Sequence, residues 1–307
     1  MNGAVVFTGS ANYVLDASGP VVLIGNFDGV HRGHRELIAT ARRLARDVGA
    51  STILAYTFHP APRDVLRPGN DVPRIQRLED RVQLLLDSGV DHVVVEPFDL
   101  DFAGQTARWF AEEVLTNRLG AEGVVIGWDF RFGRGRSGGI DDLRDVLKVP
   151  VQQVAAVSDA GGVLSSSRVR MAVRAGEVRD AGAVLGRPHQ VVGTVVRGDG
   201  RGRALGFATA NIAPITALMP AAGVYAVTVD VGDGHARPGV ANVGVRPTVG
   251  LGSTPLEVHL LDWSGDLYGA TVRVGLVERL RDECRFDSLA DLVAQIGCDV
   301  ARAREIL

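Results

Sequence analysis

His31 and His34 are the residues whose type and spacing most directly suggest chemistry, because side chains three apart on a helix share a face. Just before them Val21–Ile24 is a continuous apolar run, as expected of a strand buried on both faces of a parallel sheet. Gly25, Asp28, Gly29 and Gly33 then break the run, and glycines there allow backbone amides to approach a ligand. From Gly33 an apolar stripe follows at helical spacing: Leu37, Ile38, Ala41, Leu44, Ala45 and Val48. The histidines therefore fall where a strand gives way to a helix N-terminus. Free N–H groups and a positive dipole end at that place suit phosphate oxygens.

Four further stretches carry candidate chemistry. Gly127–Gly138 holds three arginines, four glycines and three aromatics, a composition that fits a planar ring bearing phosphate but also a solvated basic turn. Ser165, Ser166 and Ser167 precede a short helical pattern, where serines are most often N-caps. With Arg170 one turn on, they also make a phosphate cradle. Gly198–Gly206 is glycine-rich yet lacks the Lys-Ser/Thr of a Walker loop. If the segment after it is extended, Thr209 and Asn211 point the same way, two hard oxygens of the kind Mg²⁺ accepts beside nucleotide phosphates. In Leu256–Leu260 the apolar residues alternate, so Glu257 and His259 share the opposite face. A carboxylate on a rigid strand there could accept a hydroxyl proton in phosphoryl transfer, or be a solvated surface residue.

The elements that must position these residues change in kind along the chain. Up to Leu185 strands and helices alternate: apolar strands at 52–58, 92–95 and 123–126 follow the first, with helices at 78–88, 105–119 and 178–185. Such alternation predicts a parallel sheet with ligands at the carboxyl ends of its strands, where the loops after Ile24, Phe58 and Ile126 fall. Gly186-Arg187-Pro188 is a stop signal and places a domain boundary between 1–186 and 187–307. Beyond it, short β-branched runs at 191–196, 225–231, 240–245, 256–261 and 272–280 predict an antiparallel barrel, closed by a helix from Leu289.

Composition sets the outer limits. A chain of 307 residues with 46% hydrophobic content suggests two domains with proper cores. Net charge of −3 without a basic block speaks against nucleic acid as a partner. No apolar run approaches the ~20 residues needed to span a bilayer, and the start lacks a signal-peptide pattern. Cys284 and Cys298 form no metal or redox motif and suit a reducing cytoplasm. Homo-oligomerisation is left open.

His-x-Gly-His at such a junction resembles the signature of nucleotidyltransferases. The fuller run from Gly25 to His34 is similar to one family in particular, the prokaryotic bifunctional riboflavin kinase/FAD synthetases. Gly127–Gly133 resembles that family's Gly-x-Asp-Phe-x-Phe-Gly loop, and Leu164–Arg170 its Ile-Ser-Ser-Thr-x-x-Arg motif. The kinase motifs follow in family order at Leu205–Asn211, Gly223–Tyr225, Asn242–Thr248, Glu257–Asp262, Asp266–Gly269 and Leu280–Phe286. Two positions depart: Ala61 stands where the family carries the histidine of Phe-x-Pro-His-Pro, and Ala208 replaces the proline of Phe-Pro-Thr-Ala-Asn.

The resemblance implies an α/β chain, a Rossmann-like nucleotidyltransferase domain followed by a riboflavin kinase barrel. It implies Mg²⁺, with ATP as co-substrate and riboflavin, FMN and FAD as substrates or products. Glu257 would be the base of the kinase, with Thr209 and Asn211 on the metal. Gly198, Gly200, Gly202, Arg203, Gly206 and Arg246 would line its ligands. In the adenylyltransferase His31, His34, Ser166 and Arg170 would stabilise the triphosphate. Gly25, Asn26, Phe27, Asp28, Gly29, Asp129, Phe130, Ser165 and Ser167 would complete that site. The rival expectations are a paralogue with kinase activity only and a non-catalytic flavin-binding regulator.

Overall fold

The computed structural model describes residues 5–14, 18–69, 72–198, 202, 206–213, 215, 217–244 and 256–307. Two compact units emerge: Met1–Val72 with Arg77–Leu164, and Pro73–Gln76 with Ser165–Leu307.

The first unit is built on six parallel strands in the order β1-β4-β3-β2-β5-β6. These are β1 (Val5–Thr8), β2 (Val21–Ile24), β3 (Ile53–His59), β4 (His92–Pro97), β5 (Gly123–Gly127) and β6 (Val151–Val154). β2 is central and wholly buried: Val22 and Ile24 face one apolar cluster, Val21 and Leu23 the other. That two-sided burial is why its sequence is unbroken apolar rather than alternating. Helix α1 (Arg32–Val48) covers one face with Leu37, Ile38, Ala41 and Leu44, and Gly49 ends it in a left-handed conformation with φ 74°. Helices α2 (Pro62–Leu66), α3 (Leu78–Asp87), α4 (Leu100–Ala103) and α5 (Ala107–Trp109) follow. α5 runs on into a π-helical stretch, Phe110–Arg118, whose Phe110, Val114 and Leu115 fill the second face, and α6 (Ile140–Val146) packs beside it. β1 and β6 were not expected from the sequence, because β1 is largely exposed and β6 carries two glutamines. After β6 the short strands β7 (Ser158–Asp159) and β8 (Gly162–Val163) pair as a hairpin.

The strand order reverses between β2 and β5. From β2 the chain winds outward through β3 to β4, and from β5 it winds the other way to β6. The loops leaving the carboxyl ends of β2 and β5 therefore flank the topological switch point, where open α/β sheets bind ligands.

The second unit holds α7 (Ser166–Ala175), α8 (Val178–Leu185) and a closed antiparallel barrel in the order β10-β13-β12-β11-β14-β9. Its strands are β9 (His189–Val196), β10 (Ala210–Ala213), β11 (Gly223–Asp230), β12 (Arg237–Val243), β13 (Leu256–Leu260) and β14 (Thr271–Arg281). Five were expected; the sixth is β10, the segment that carries Asn211. Val191, Ile212, Tyr225, Ala241, Val258 and Val274 fill the interior. α8 contributes Val178 to that same cluster, so the helices just before Gly186 are compact with the barrel. Helix α9 (Leu289–Ile306) covers the outside of β11 and β12, setting Ala303 and Val300 on Val224, Ala226 and Val240. Asp299 of α9, 5% exposed, takes a bidentate ion pair from Arg281, with oxygens 2.8 and 3.0 Å from Nη2 and Nε.

Candidate active sites

In the first unit the histidines meet as the spacing predicts, and more closely. His31 is the N-cap of α1, and its ring stacks on His34 with centroids 3.6 Å apart and planes 22° from parallel. The His31 N–H donates to Nδ1 of His34 at 3.3 Å, which fixes the second ring over the first turn. The edge of the Phe27 ring meets His34 at 5.3 Å. Gly33 is required here for space: a Cβ would lie 3.0 Å from Cε1 and Nδ1 of His31. Phe27 and Val30, both wholly buried, hold φ of 49° and 39°, a left-handed backbone that costs on the order of 1–3 kcal/mol per residue. Such strain persists only where neighbours over-determine the loop.

One of those neighbours is Arg81, which sequence reasoning passed over as part of a helix face. It is 5% exposed and donates from Nη1 to the Asn26 carbonyl at 2.8 Å and from Nη2 to the Phe58 carbonyl at 3.0 Å. Thr57 Oγ1 adds a second donor to Asn26 O at 3.3 Å. The fork thus ties the carboxyl ends of β2 and β3, each of which leads into a candidate loop. A buried arginine next to a polar turn was the available sequence signal, but nothing local distinguishes it from a surface residue.

The other predicted groups of this unit take up varied surroundings. Gly25 lies under the Phe27 ring, where a Cβ would come within 3.0 Å of Cζ. Asp28 is buried, and Gly29 takes φ 95°. After β5, Phe130 stacks on Phe132 at 5.4 Å, Asp129 is exposed, and Gln153 of β6 holds the Trp128 carbonyl at 3.2 Å. Ala61 is the buried N-cap of α2, and His59, two residues before it, is exposed. A buried network unforeseen in the sequence lies at the ends of β1 and β4. Glu96 accepts from the Tyr56 hydroxyl at 2.7 Å and the Ser10 N–H at 2.8 Å. Burial, with the Glu96 carboxylate beside it, pushes the Tyr56 phenol far up, so it acts as a neutral donor.

In the second unit Ser165 is the N-cap of α7, its Oγ accepting from the Arg168 N–H at 3.2 Å, while Ser166 and Ser167 open the first turn. Arg170 donates from Nε to the Pro73 carbonyl at 3.2 Å.

The barrel brings the kinase candidates into one register. Asn211 of β10 stands opposite Glu257 of β13, and Glu257 opposite Asn242 of β12. Their neighbours Ile212, Leu256, Val258, Ala241 and Val243 point into the barrel, so these three point out. Gly198 and Gly202 are required by what lies over them. A Cβ on Gly198 would collide with the Asn211 amide, and one on Gly202 would collide with the Phe207 carbonyl and stand 3.2 Å from Thr209 Oγ1. Gly198 and Gly202 therefore lie close against the two expected metal ligands. His259 braces the approach: its Nδ1–H donates to the Ala208 carbonyl at 2.8 Å, and its ring meets Phe207 edge-on at 5.5 Å. Gly206 is described, with φ 86°, while Gly200, Arg203 and Arg246 lie outside the described residues. Among the described residues no group of three or more His, Cys, Asp or Glu could hold a metal ion. Thr209 and Asn211, expected from the sequence as metal ligands, offer neutral oxygens of the kind that suit a hard cation shared with phosphates.

Comparison with known proteins also finds two modules along the chain. The family model for FAD synthetase matches residues 15–168, and the model for riboflavin kinase matches residues 185–307. The chain belongs to the bifunctional riboflavin kinase/FAD synthetase family. A bifunctional riboflavin kinase/FMN adenylyltransferase of Escherichia coli strain K12 is 39% identical over 291 residues, 94% of this chain and 92% of that one. The Bacillus subtilis protein of the same name is 34% identical, over 92% of this chain and 91% of its own. A crystal structure from Streptococcus pneumoniae, described as a macrolide-efflux protein, superposes with TM-score 0.90 and 33% identity, covering 97% and 98% of the two chains. Among the described residues no helix is long and apolar enough to cross a membrane.

Proposed function

We propose that the two units run consecutive steps on one flavin, within a chain that is a riboflavin kinase and FMN adenylyltransferase. In the barrel, Glu257 accepts the proton of the ribityl 5′-hydroxyl of riboflavin as its oxygen attacks the γ-phosphorus of ATP, the bond to the β-γ bridging oxygen breaks, and ADP leaves. Thr209 and Asn211 hold Mg²⁺, which when bound neutralises charge on the phosphates. The fit rests on the chemistry of these two hard oxygens and on Gly198 and Gly202, which leave no side chain in the way.

In the first unit a phosphate oxygen of FMN attacks the α-phosphorus of a second ATP, and pyrophosphate leaves. No enzyme nucleophile is needed, so the work is positioning and charge stabilisation. His31 and His34 do this from the switch point. Asn26, Asp28, Gly29, Asp129 and Phe130 line the ligands. We place the enzyme in the cytoplasm, with flavins and ATP as its partners. The division into 1–186 and 187–307 is our reading of where one activity ends and the other begins.

The observation that carries this reading is that each compact unit has its own constellation. The stacked His31–His34 pair belongs to one unit, and the Asn211–Glu257 pair in register belongs to the other. A chain that makes FMN alone is the alternative to exclude, because Ala61 stands where the family carries a histidine. Incubation with riboflavin and Mg-ATP, resolving FMN from FAD, decides between them. Glu257→Ala should abolish FMN formation yet leave FAD formation from supplied FMN. Replacing His31 and His34 together by Ala should do the reverse. Loss of both reactions from either change in a folded protein would overturn the two-site reading.

A further inference from the structure

Outward-facing residues of the barrel form one register row across five neighbouring strands. Val196 stands opposite Asn211, Asn211 opposite Glu257, Glu257 opposite Asn242, and Asn242 opposite Val224. The middle three are polar and half-buried. The flanking two are apolar, Val196 at the open side and Val224 packed with Ala303 of α9. Facing Cβ atoms in an antiparallel row are about 4.5–5.5 Å apart, so the row sets one amide residue on either side of the carboxylate residue.

The choice of amides has a physical consequence. A lysine or arginine in either place would stabilise the ionised carboxylate strongly and weaken it as a proton acceptor. An amide N–H fixes the carboxylate's orientation without adding net charge. Asn211 is approached on its other side by Gly198, whose Cβ would collide with its amide, and Asn211 is the residue assigned above to the metal. Asn242 is then the group left to orient the base. We propose that Asn242 is a positioning residue of the kinase site, its amide N–H holding one oxygen of Glu257 so that the other faces the ribityl hydroxyl. This rests on the reading of Glu257 as the base.

Charged groups around the row are engaged with other partners among the described residues. His259, on the same face of β13, holds the Ala208 carbonyl. Arg281, beside Val224, is bidentate on Asp299. From α9, Arg302 pairs with Glu305 and Glu278, and Arg304 with Asp262. Arg197, before Gly198, lies over the Tyr268 ring at 5.6 Å.

The test is steady-state FMN formation by the full chain, with kcat and the KM for Mg-ATP measured separately and FAD formation from supplied FMN as the control that the protein is folded. Asn242→Ala and Asn242→Leu, which is close to Asn in size but has no side-chain N–H, should each lower kcat about 10-fold with an unchanged KM for Mg-ATP. Asn242→Gln, which keeps the amide, should recover part of that loss. A kcat within about twofold of the parent in the Ala and Leu variants, or a Gln variant no faster than Leu, with FAD formation intact, overturns the proposal. Glu257→Gln separates the two readings: if it still makes FMN, the base assignment fails. If it is inactive while kcat of the Asn242 variants does not change, only the positioning role fails.

Discussion

The ring of His31 lies stacked on the ring of His34, with centroids 3.6 Å apart. Gly33 between them leaves the space for this stack: a Cβ there would stand 3.0 Å from the His31 ring, tight enough that the ring would have to shift.

Gly33→Ala should therefore push the two rings apart while leaving α1 helical. A misplacement of about 1 Å can cost on the order of 10²-fold in rate. FAD formation from FMN should fall by about that much, with FMN formation from riboflavin unchanged. Comparing both rates in one preparation checks it. An unchanged FAD rate would mean that the stack has no part in catalysis.

Arg81 holds two buried carbonyls, Asn26 O and Phe58 O, with one guanidinium. Arg81→Met takes that donor from the Phe58 carbonyl, at about 1–3 kcal/mol, and leaves the Asn26 carbonyl with Thr57 Oγ1 as its side-chain donor. Thermal unfolding should begin earlier, and FAD formation should drop more steeply than FMN formation. Arg81→Lys should recover less than half the loss, because an ammonium cannot reproduce the planar fork.

Gly198 leaves room for the Asn211 amide. Gly198→Ala should displace that amide from Mg-ATP and raise the KM for Mg-ATP in FMN formation about 10-fold. FAD formation from FMN is the internal control and should not change. Equal loss of both activities would point to misfolding rather than to the nucleotide site.

His189 is buried on β9, its Nε2–H donating to the Leu218 carbonyl at 2.7 Å. Burial pushes its imidazole down to about 4, against the hydrogen bond and with help from Arg187. In the unfolded chain the ring takes up a proton near pH 6.5, in the folded one only near 4. Its contribution is thus full above pH 6.5 and is lost as pH falls from there toward 4, by up to about 3 kcal/mol. Denaturant midpoints followed across that window should decline, and His189→Gln, which keeps a donor but does not titrate, should flatten the slope.

The sequence by itself determined the local grammar of both sites. An unbroken apolar Val21–Ile24, glycines, and a helical stripe from Gly33 leave little choice but a buried strand turning into a helix, with His31 and His34 at the junction. Alternation in Leu256–Leu260 likewise put Glu257 on the face opposite the core. These features were legible because side-chain periodicity is a local property of strands and helices. Other elements were hidden because their signals are not local. β1 lies at an exposed edge, β6 is short and mixed, and β10 is a strand only because β9 and β13 pair with it. The tertiary structure alone decided what stands beside what: Arg81 on Asn26, 55 positions away, and Asn242 in register with Glu257. Register and long-range hydrogen bonds depend on how distant strands are stacked and closed, which is set by packing of the whole core rather than by the residues that meet.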